Sequence, residues 1–310
     1  MKKKLLISGL GGSLFPYLID HLCDKYDLFF IDSNPVVLKM YPHEKVFIVP
    51  KAVDKSFEDS IILLIQHYGI DFYIPLIDEE ILKAIAIGHA TDIKVLAPSK
   101  AFVTLTLDKY TLMQELETQS ISFIKTFMAA TFDGSINFPL FLKPNIGRGS
   151  RGIRKIISRE QFEAYFSLES YAQKDVLVQP YIDGDEYTVS VTVNNLNQII
   201  AIVPKLVLLK EGITKHAKSV HHSSIEQVCR TIVDRLHPKG SFNVQLKIFK
   251  DEIFIFEINP RYSTTLVLSI ASGINEIDLN IEHYNHEKVP YISHFQETEL
   301  IRRWENLFYV

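Results

Sequence analysis

Residues 242–265 read FNVQLKIFKDEIFIFEINPRYSTT, and this stretch decides how the rest of the chain is interpreted. Two runs rich in β-branched and aromatic residues, Phe242–Phe249 and Ile253–Asn259, flank the polar tripeptide Lys250-Asp251-Glu252. Such runs around a short polar segment predict a β-hairpin. A proline at position 260 then marks the end of the second strand, because proline cannot donate a hydrogen bond to a neighbouring strand.

Alternation of side chains along both strands separates an apolar face from a polar one. The apolar face is predicted to carry Phe242, Val244, Leu246 and Ile248 from the first strand and Phe254, Phe256 and Ile258 from the second. The polar face is predicted to carry Asn243, Gln245 and Lys247 from the first strand and Glu257 and Asn259 from the second. A three-residue loop pairs position 249 with 253, so Gln245 falls opposite Glu257. The same register puts Asn243 opposite Asn259.

An acid and amides on one face of a hairpin suit a hard cation. Mg²⁺ takes one or two protein carboxylates and leaves its other positions to water and substrate phosphate. Arg261 follows the strand as a planar cation that matches phosphate or carboxylate. The alternative is an exposed hairpin face that is merely polar.

The order Asn-Val-Gln at 243–245 and Glu-Ile-Asn-Pro-Arg at 257–261 resembles the metal-binding signature of the ATP-grasp superfamily. The combination of Gln, Glu and Asn is most similar to the carbamoyl-phosphate synthetase large-subunit branch. The resemblance implies ATP as the nucleotide and Mg²⁺ as the metal, with Mn²⁺ as an alternative. It implies that Gln245, Glu257 and Asn259 bind the metal and that Arg261 stabilises the transferred phosphoryl group.

Upstream, residues 1 to about 100 alternate short apolar strands with helical patterns, which predicts a parallel sheet with helices on its faces. Gly9, Gly11 and Gly12 follow the first strand and Asp32 ends the second, as in dinucleotide-binding folds, but the full G-x-G-x-x-G pattern is absent. In the resemblance this region is the domain that precedes an ATP-grasp module. Glu80 either binds substrate there or caps its own helix.

Two lysines are candidates for phosphate contact. Lys109 lies in the first turn of a predicted helix, where a cation opposes the helix dipole unless an anion is near. Lys143 ends a strand, and the loop after it is rich in glycine, whose backbone N–H groups approach anions closely. The predicted phosphate loop comprises Gly147, Arg148, Gly149, Ser150 and Gly152. The lysine precedes the glycines, so this is not a Walker A loop, and the order resembles the ATP-grasp lid.

A third block, residues 176–191, is an apolar strand that breaks at Pro180 and resumes at Tyr187. In the family this break is the hinge that binds adenine and ribose. The resemblance therefore implies nucleotide contacts from Gln179, Tyr181, Ile182 and Glu186. Gln179 stands where Glu is more usual, yet its carbonyl can still accept a hydrogen bond.

The segment 205–222 contains several basic residues and three histidines. Their spacing fits no standard zinc pattern, so His216, His221 and His222 are predicted to be loop residues. The resemblance implies that Lys215, or Lys218 in its place, reaches the substrate or the γ-phosphate. Ser263 is a further candidate for substrate binding.

Composition excludes several classes of protein. The chain has 310 residues, is 47% hydrophobic and 23% charged, and carries a formal net charge of −4, so nucleic-acid binding is not expected. No apolar stretch is long enough to span a bilayer, and Gly9-Leu10-Gly11-Gly12 interrupts the only signal-like start. Cys23 and Cys229 lack partner spacing, which fits a reducing compartment. The expectation is a cytoplasmic protein without a membrane partner.

Together these patterns predict an α/β protein, α+β in its catalytic part, with the ATP-grasp fold and an N-terminal Rossmann-like parallel-sheet domain. The expected divisions are 1–108 for that domain, 109–181 for the lid and 182–310 for the catalytic subdomain. The expected activity is an ATP-dependent, ADP-forming carboxylate–amine ligase with two small-molecule substrates, as a homodimer by family habit. The alternatives are a nicotinamide-dependent oxidoreductase that uses the N-terminal sheet, and a nucleotide-binding protein without turnover.

Overall fold

The computed structural model describes residues 2–147 and 151–308, so Arg148, Gly149 and Ser150 of the predicted phosphate loop lie outside the described residues. Within that part, the strands form sheets of five, four and six strands. The five-stranded sheet is parallel and the other two pair their neighbouring strands antiparallel. The mixture of a parallel N-terminal sheet with antiparallel sheets after it confirms the predicted fold class.

The N-terminal part alternates strands and helices, as predicted. Its elements are β1 (Lys3–Ser8), α1 (Phe15–Leu22), β2 (Tyr26–Asp32), α2 (Val37–Met40), β3 (Lys45–Ile48), α3 (Phe57–Tyr68), β4 (Phe72–Ile74), α4 (Ile81–Thr91), β5 (Lys94–Val95) and α5 (Lys100–Leu107). The strand order is β3-β2-β1-β4-β5. The order in which strands are added to the sheet reverses between the parallel neighbours β1 and β4, so the loops after these two strands lie next to each other at the carboxyl ends of the strands.

The middle of the chain forms the small four-stranded sheet. Its elements are α6 (Lys109–Thr118), β6 (Phe127–Met128), β7 (Leu140–Pro144), β8 (Arg154–Ile156), α7 (Arg159–Glu169) and β9 (Val176–Pro180). Asp108 caps α6 by accepting a hydrogen bond from the Thr111 amide at 2.8 Å. Helix α6 packs through Leu112 and Leu116 on the core of the six-stranded sheet. Helix α6 belongs to the predicted lid, 109–181, but packs on the core of the predicted catalytic subdomain. The boundary between the N-terminal domain and the lid at residue 109 therefore stays a prediction.

The C-terminal part is the largest sheet with three helices. Its elements are β10 (Asp185–Val193), β11 (Ile199–Glu211), β12 (Ile213–Ser219), α8 (Ser223–Leu236), β13 (Phe242–Phe249), β14 (Glu252–Asn259), α9 (Leu266–Ala271), α10 (Glu276–Glu282) and β15 (Glu299–Ile301). The strand order is β14-β13-β10-β11-β12-β15. One local prediction was wrong, because His216 lies on β12 rather than in a loop.

The β13–β14 hairpin has the predicted pairing at its functional end and a different pairing at its turn. Gln245 lies opposite Glu257 and Asn243 opposite Asn259, as expected. At the turn, however, Phe249 pairs with Glu252, because the connection has two residues instead of three. A β-bulge after Gln245 inserts Phe256 as an extra residue, which restores the expected register beyond it.

The bulge also corrects the predicted apolar face. Phe254 lies opposite Lys247, so it belongs to the polar face and not with Ile258. Ile255, which is fully buried, lies opposite Leu246 and takes its place in the core.

The N-terminal and C-terminal sheets share a core. Helix α1 contributes Phe15 and Leu18 to a cluster that also contains Leu266 from α9 and Ile277 from α10. The four-stranded sheet has a separate cluster, which includes Leu140, Leu142, Ile156, Phe162, Tyr165, Val176 and Val178. Among the described helices, none combines the length and the apolar composition needed to cross a membrane.

Candidate functional site

The candidate site is built on the polar face of the six-stranded sheet. Antiparallel partners point to the same face, and one row across the sheet contains Lys205 of β11, Thr188 of β10, Gln245 of β13 and Glu257 of β14. The four-stranded sheet approaches this face, since Lys143 at the end of β7 donates a hydrogen bond to the Phe256 carbonyl at 2.8 Å. Phe256, the bulge residue, thus joins the four-stranded sheet to the six-stranded sheet at the site.

The three predicted metal ligands lie together on this hairpin. Glu257 and Gln245 are cross-strand partners, and Asn259 follows two residues beyond Glu257 on the same strand. Asn259 is buried, and its amide lies 3.5 Å from the Asn243 side-chain oxygen. One carboxylate and two amide oxygens form a hard donor set that fits Mg²⁺ with water and phosphate completing the shell. Within the described residues, no group of three or more His, Cys, Asp or Glu side chains offers an alternative metal site.

Lysines surround these oxygen atoms. Lys109 lies 3.6 Å from the Glu257 carboxylate, and Lys210 donates hydrogen bonds to Glu186 at 2.6 Å and to the Gln245 side-chain oxygen at 3.1 Å. Lys143 is the most deeply placed of the three. Burial lowers its pKa to about 7, the Glu257 charge opposes this shift, and the Lys109 and Lys210 charges add to it. These cations converge where a triphosphate would need them.

Sequence reasoning missed Lys210. It lies near the end of β11, where the pairing with β12 shifts register on both sides of Leu209. Because a bulge changes which face a side chain points to, alternation alone cannot tell where Lys210 is directed. The predicted residue Lys215 instead forms an ion pair with Glu211 across the β11–β12 turn, and Lys218 lies 3.6 Å from Glu299. The structure does not bring Lys215 into contact with the hairpin oxygens, and its catalytic role stays a prediction.

The start of the glycine loop is tied to the start of α6. Lys109 donates to the Gly147 carbonyl at 2.9 Å, and the Tyr110 amide donates to the Asn145 side chain at 2.8 Å. Gly152 has φ of +66°, and a Cβ there would lie 2.6 Å from the Tyr171 ring, so position 152 requires glycine. The loop is therefore anchored beside Lys109 at its start, and at Gly152 the backbone carbonyl accepts a hydrogen bond from the Tyr165 hydroxyl at 2.6 Å.

The predicted hinge follows β9. Gln179 is buried and donates from its amide nitrogen to the Thr126 hydroxyl at 2.8 Å. The Tyr181 ring has the Lys155 ammonium 3.7 Å from its centroid. The Ile182 carbonyl accepts a hydrogen bond from Lys247 at 2.9 Å. Together with Glu186 at the start of β10, these residues line the junction between the two antiparallel sheets.

Arg261 points to the N-terminal part of the chain. Its guanidinium binds the Asp78 carboxylate through two nitrogen atoms, one of them at 3.3 Å, in an ion pair that is mostly buried. Asp78 begins a short 3-10 helix, Asp78–Glu80, after β4, so the pair links the N-terminal part of the chain to the β13–β14 hairpin. The sequence indicated Arg261 but gave no signal for its partner.

The two candidates for substrate binding, Glu80 and Ser263, both have contacts within the protein. Glu80 is buried and accepts hydrogen bonds from the Leu76 and Ile77 amides at 3.0 and 3.2 Å and from the Ser8 hydroxyl. Burial raises its pKa to about 7 although these hydrogen bonds lower it. Of the two alternatives for Glu80, the geometry favours capping. The Ser263 hydroxyl contacts the Thr265 hydroxyl at 2.9 Å and accepts a hydrogen bond from the Thr265 amide at 3.1 Å, just before α9 begins.

Known proteins resemble this chain in sequence. Residues 172–306 match the family model described as ATP-grasp in the biosynthetic pathway with Ter operon. The carbamoyl phosphate synthase large chain of Caldanaerobacter subterraneus is 24% identical over 219 residues, which are 62% of this chain and 20% of that protein. The formate-dependent phosphoribosylglycinamide formyltransferase of Wolinella succinogenes is 25% identical over 247 residues, 74% of this chain and 63% of that protein. The chain thus spans about a fifth of the first relative and under two thirds of the second.

Solved structures share the fold. The biotin carboxylase of Campylobacter jejuni has a TM-score of 0.76 at 16% identity, covering 96% of this chain and 74% of that one. The N5-carboxyaminoimidazole synthetase of Staphylococcus aureus, solved with ADP, has a TM-score of 0.75 at 16% identity over 94% and 80%. The L-amino acid ligase of Bacillus licheniformis has a TM-score of 0.71 at 14% identity over 91% and 74%. The chain therefore has the fold of these ATP-grasp proteins, and its residues 172–306 match an ATP-grasp family model.

Proposed function

We propose that the protein is an ATP- and Mg²⁺-dependent ligase that activates a small carboxylate as an acyl phosphate for attack by an amine. One observation carries this proposal: the cross-strand oxygens of Gln245 and Glu257 face Lys109 and Lys210 within a few ångström. A cation site beside converging ammonium groups is the arrangement that a metal–triphosphate complex requires.

The nucleotide would lie between the two antiparallel sheets. Gln179, Tyr181 and Ile182 would hold the adenine and Glu186 the ribose, at the junction after β9. Lys109, Lys143 and the loop that starts at Gly147 would hold the phosphates. Lys109 and Lys210 contact the oxygens of Glu257, Gln245 and Glu186, so both would move to phosphate oxygens when the metal takes Glu257 and Gln245 and the ribose takes Glu186.

The residues that would hold Mg²⁺ are Gln245, Glu257 and Asn259. Bound there, the ion would neutralise charge on the β- and γ-phosphates. Arg261 extends from the end of the same strand and would stabilise the charge of the phosphoryl group during transfer.

The proposed reaction has two steps. A carboxylate oxygen of the substrate attacks the γ-phosphorus, the bond to the β-phosphate oxygen breaks, and ADP leaves. The amine nitrogen then attacks the acyl carbon, the carbon–oxygen bond to phosphate breaks, and inorganic phosphate leaves while the nitrogen loses a proton to solvent. The amide product, ADP and phosphate account for all atoms of the acid, the amine and ATP.

The alternative function, a nicotinamide-dependent oxidoreductase that uses the N-terminal sheet, has less support. In a dinucleotide fold the acid after the second strand must be free to bind ribose. Here Asp32 accepts hydrogen bonds from the Gly11 and Asn34 amides at 2.9 Å, so its oxygens already hold the loop. Comparing thermal shifts with MgATP and with NADPH separates the two alternatives, and only MgATP is expected to stabilise the protein.

The decisive experiment is a screen for ADP release with pooled amino acids, hydroxy acids and amines. We expect release that requires both an acid and an amine. Glu257→Gln should lower kcat by about 100-fold or more, because it removes the one metal-binding carboxylate while leaving its shape. Glu252→Gln, at the exposed start of the same strand, is the matched control and should keep full activity.

Unchanged turnover in Glu257→Gln would refute the metal assignment. Absence of ADP release from the unmodified protein in every pool would favour a nucleotide-binding protein without turnover. A cytoplasmic location and a homodimer stay predictions, and size-exclusion chromatography with light scattering tests the second.

A further inference from the structure

A fully buried lysine lies behind the proposed site. Lys205 has no exposed surface, and its ammonium donates to the Ser190 hydroxyl at 2.6 Å and to the Thr265 hydroxyl at 3.4 Å. The carboxylate of Glu276, buried at 1% exposure, lies 3.6 Å away. That distance is too long for a hydrogen bond, and the Glu276 Oε1 atom has no hydrogen-bond partner.

Stability alone does not explain the buried Lys205–Glu276 pair. Taking a charged pair out of water costs several kcal/mol per ion. The attraction between the two charges offsets this cost only when they are close and hydrogen-bonded. The Lys205–Glu276 geometry is loose, and an apolar pair of similar volume is often as stable or more so. The pair therefore needs an explanation other than packing.

The position of the ammonium supplies that explanation. Lys205 belongs to the same row as Gln245 and Glu257, two strands away from Gln245 and three from Glu257 on the sheet edge. Its side chain reaches the segment 261–265, which carries Arg261 out of the metal strand. There the Thr265 hydroxyl lies 2.9 Å from the Ser263 hydroxyl, and that oxygen accepts the Thr265 amide at 3.1 Å.

Two further contacts hold the same segment. Asn243, on the row next to Lys205, donates to the Arg261 carbonyl at 3.1 Å. Arg302 donates to the Thr264 carbonyl at 2.5 Å. The segment is thus held at residues 261, 264 and 265 by side chains from outside it, and the fully buried Lys205 provides the third contact.

We propose that Lys205, charge-balanced by Glu276, is a positioning residue that fixes the segment 261–265 and thereby places Arg261 for phosphoryl transfer. Lys205 does not touch the nucleotide in this proposal; it acts through Thr265. The inference rests on the proposed function for its catalytic part, whereas its structural part concerns the segment alone.

Thr265→Val tests the link without removing the buried charge, and Thr265→Ser, which keeps the hydroxyl, is the rescue. Thr192→Val is the matched control, because Thr192 is a fully buried threonine on the same face whose hydroxyl has no hydrogen-bond partner. Lys205→Met tests the lysine itself, where it folds. Each variant is examined as the full chain by hydrogen exchange of peptides spanning 261–266 and by ADP release.

For Thr265→Val and Lys205→Met we expect faster exchange at the Thr265 and Leu266 amides than in Thr192→Val. We also expect kcat to fall about 10- to 100-fold with KM for ATP nearly unchanged, since a misplacement of the order of 1 Å costs this much. Thr265→Ser should restore both values. In a double-mutant cycle with Arg261→Lys, the losses should be clearly less than additive.

Exchange in Thr265→Val equal to that in Thr192→Val would overturn the proposal. So would faster exchange with an unchanged kcat, because Lys205 would then serve stability only. If the unmodified protein releases no ADP in any substrate pool, the proposed function fails, and the exchange data still decide whether Lys205 holds the segment.

Discussion

Lys143, in the proposed phosphate site, has a side-chain pKa close to neutral pH. Burial lowers its pKa to about 7, so at pH 8 the side chain is mostly neutral before nucleotide binds. A triphosphate nearby favours the charged form and raises the pKa again. We therefore expect MgATP binding at pH 8 to take up roughly 0.5–1 proton, and affinity to fall as the pH rises above 7. Calorimetry in buffers of different ionisation enthalpy measures this uptake.

Lys143→Arg is the control for this prediction. Arginine stays protonated at all these pH values, so the variant keeps the charge but has no proton to gain. Its proton uptake should be near zero, and its affinity should vary less with pH. Equal uptake by the variant and the unmodified protein would assign the proton to another group.

What the sequence reveals at this scale depends on whether local periodicity determines the direction of a side chain. Gln245 and Glu257 were predictable because the alternation along each strand fixes their face. Lys210 was not, since the register of β11 shifts beside it. The partner of Arg261 was not either, because Asp78 is 183 residues away and only the packed structure brings the two together.

At the scale of the element, the hairpin reached the predicted pairing by a different route. The polar tripeptide suggested a three-residue loop, but Lys250 and Asp251 both have positive φ, at +50° and +65°, and form a two-residue turn. Such turns match the twist of the strands. The bulge at Phe256 then adds one residue and returns Glu257 to its partner. Hydrophobic alternation fixes the faces, but it carries no information on a bulge that offsets a shorter turn.

This turn offers a stabilising substitution. Lysine and aspartate at positive φ cost more than asparagine and glycine, which are the preferred residues of this turn type. We expect the double substitution Lys250→Asn and Asp251→Gly to raise the free energy of unfolding by about 0.5–1 kcal/mol. Urea unfolding measures the gain, and ADP release should be unchanged because the turn is at the far end of the hairpin. The control is Asn195→Gly, in a turn where only Asn197 among residues 194–197 has positive φ, and it should bring no gain.

At the scale of the whole molecule, the N-terminal and C-terminal sheets behave as one body because they share a core, while the four-stranded sheet has its own. Strand–helix alternation predicted the parallel sheet and its helices. It could not predict that α9 and α10 would pack on α1, because that contact joins segments more than 200 residues apart in a way no local pattern encodes. If the proposed nucleotide binds between the antiparallel sheets, we expect any closing motion to come from the four-stranded sheet, because the other two sheets share a core.

The Asp78–Arg261 ion pair is the part of that link nearest to the proposed chemistry, and its removal is the last prediction. Asp78→Asn keeps the shape of the side chain but leaves Arg261 mostly buried without its counter-charge. Because both side chains retain some exposure, we expect a stability loss of about 1–3 kcal/mol rather than the larger value of a fully buried pair. We expect kcat to fall at least about 10-fold with KM for ATP nearly constant, since Arg261 would lose its orientation while the lysines keep theirs. Asp27→Asn is the control: it breaks the exposed ion pair with Lys45 and should change stability by under about 1 kcal/mol and leave kcat intact. Urea unfolding and ADP release give both quantities, and a kcat that survives in Asp78→Asn would mean that Arg261 holds the two sheets together without taking part in transfer.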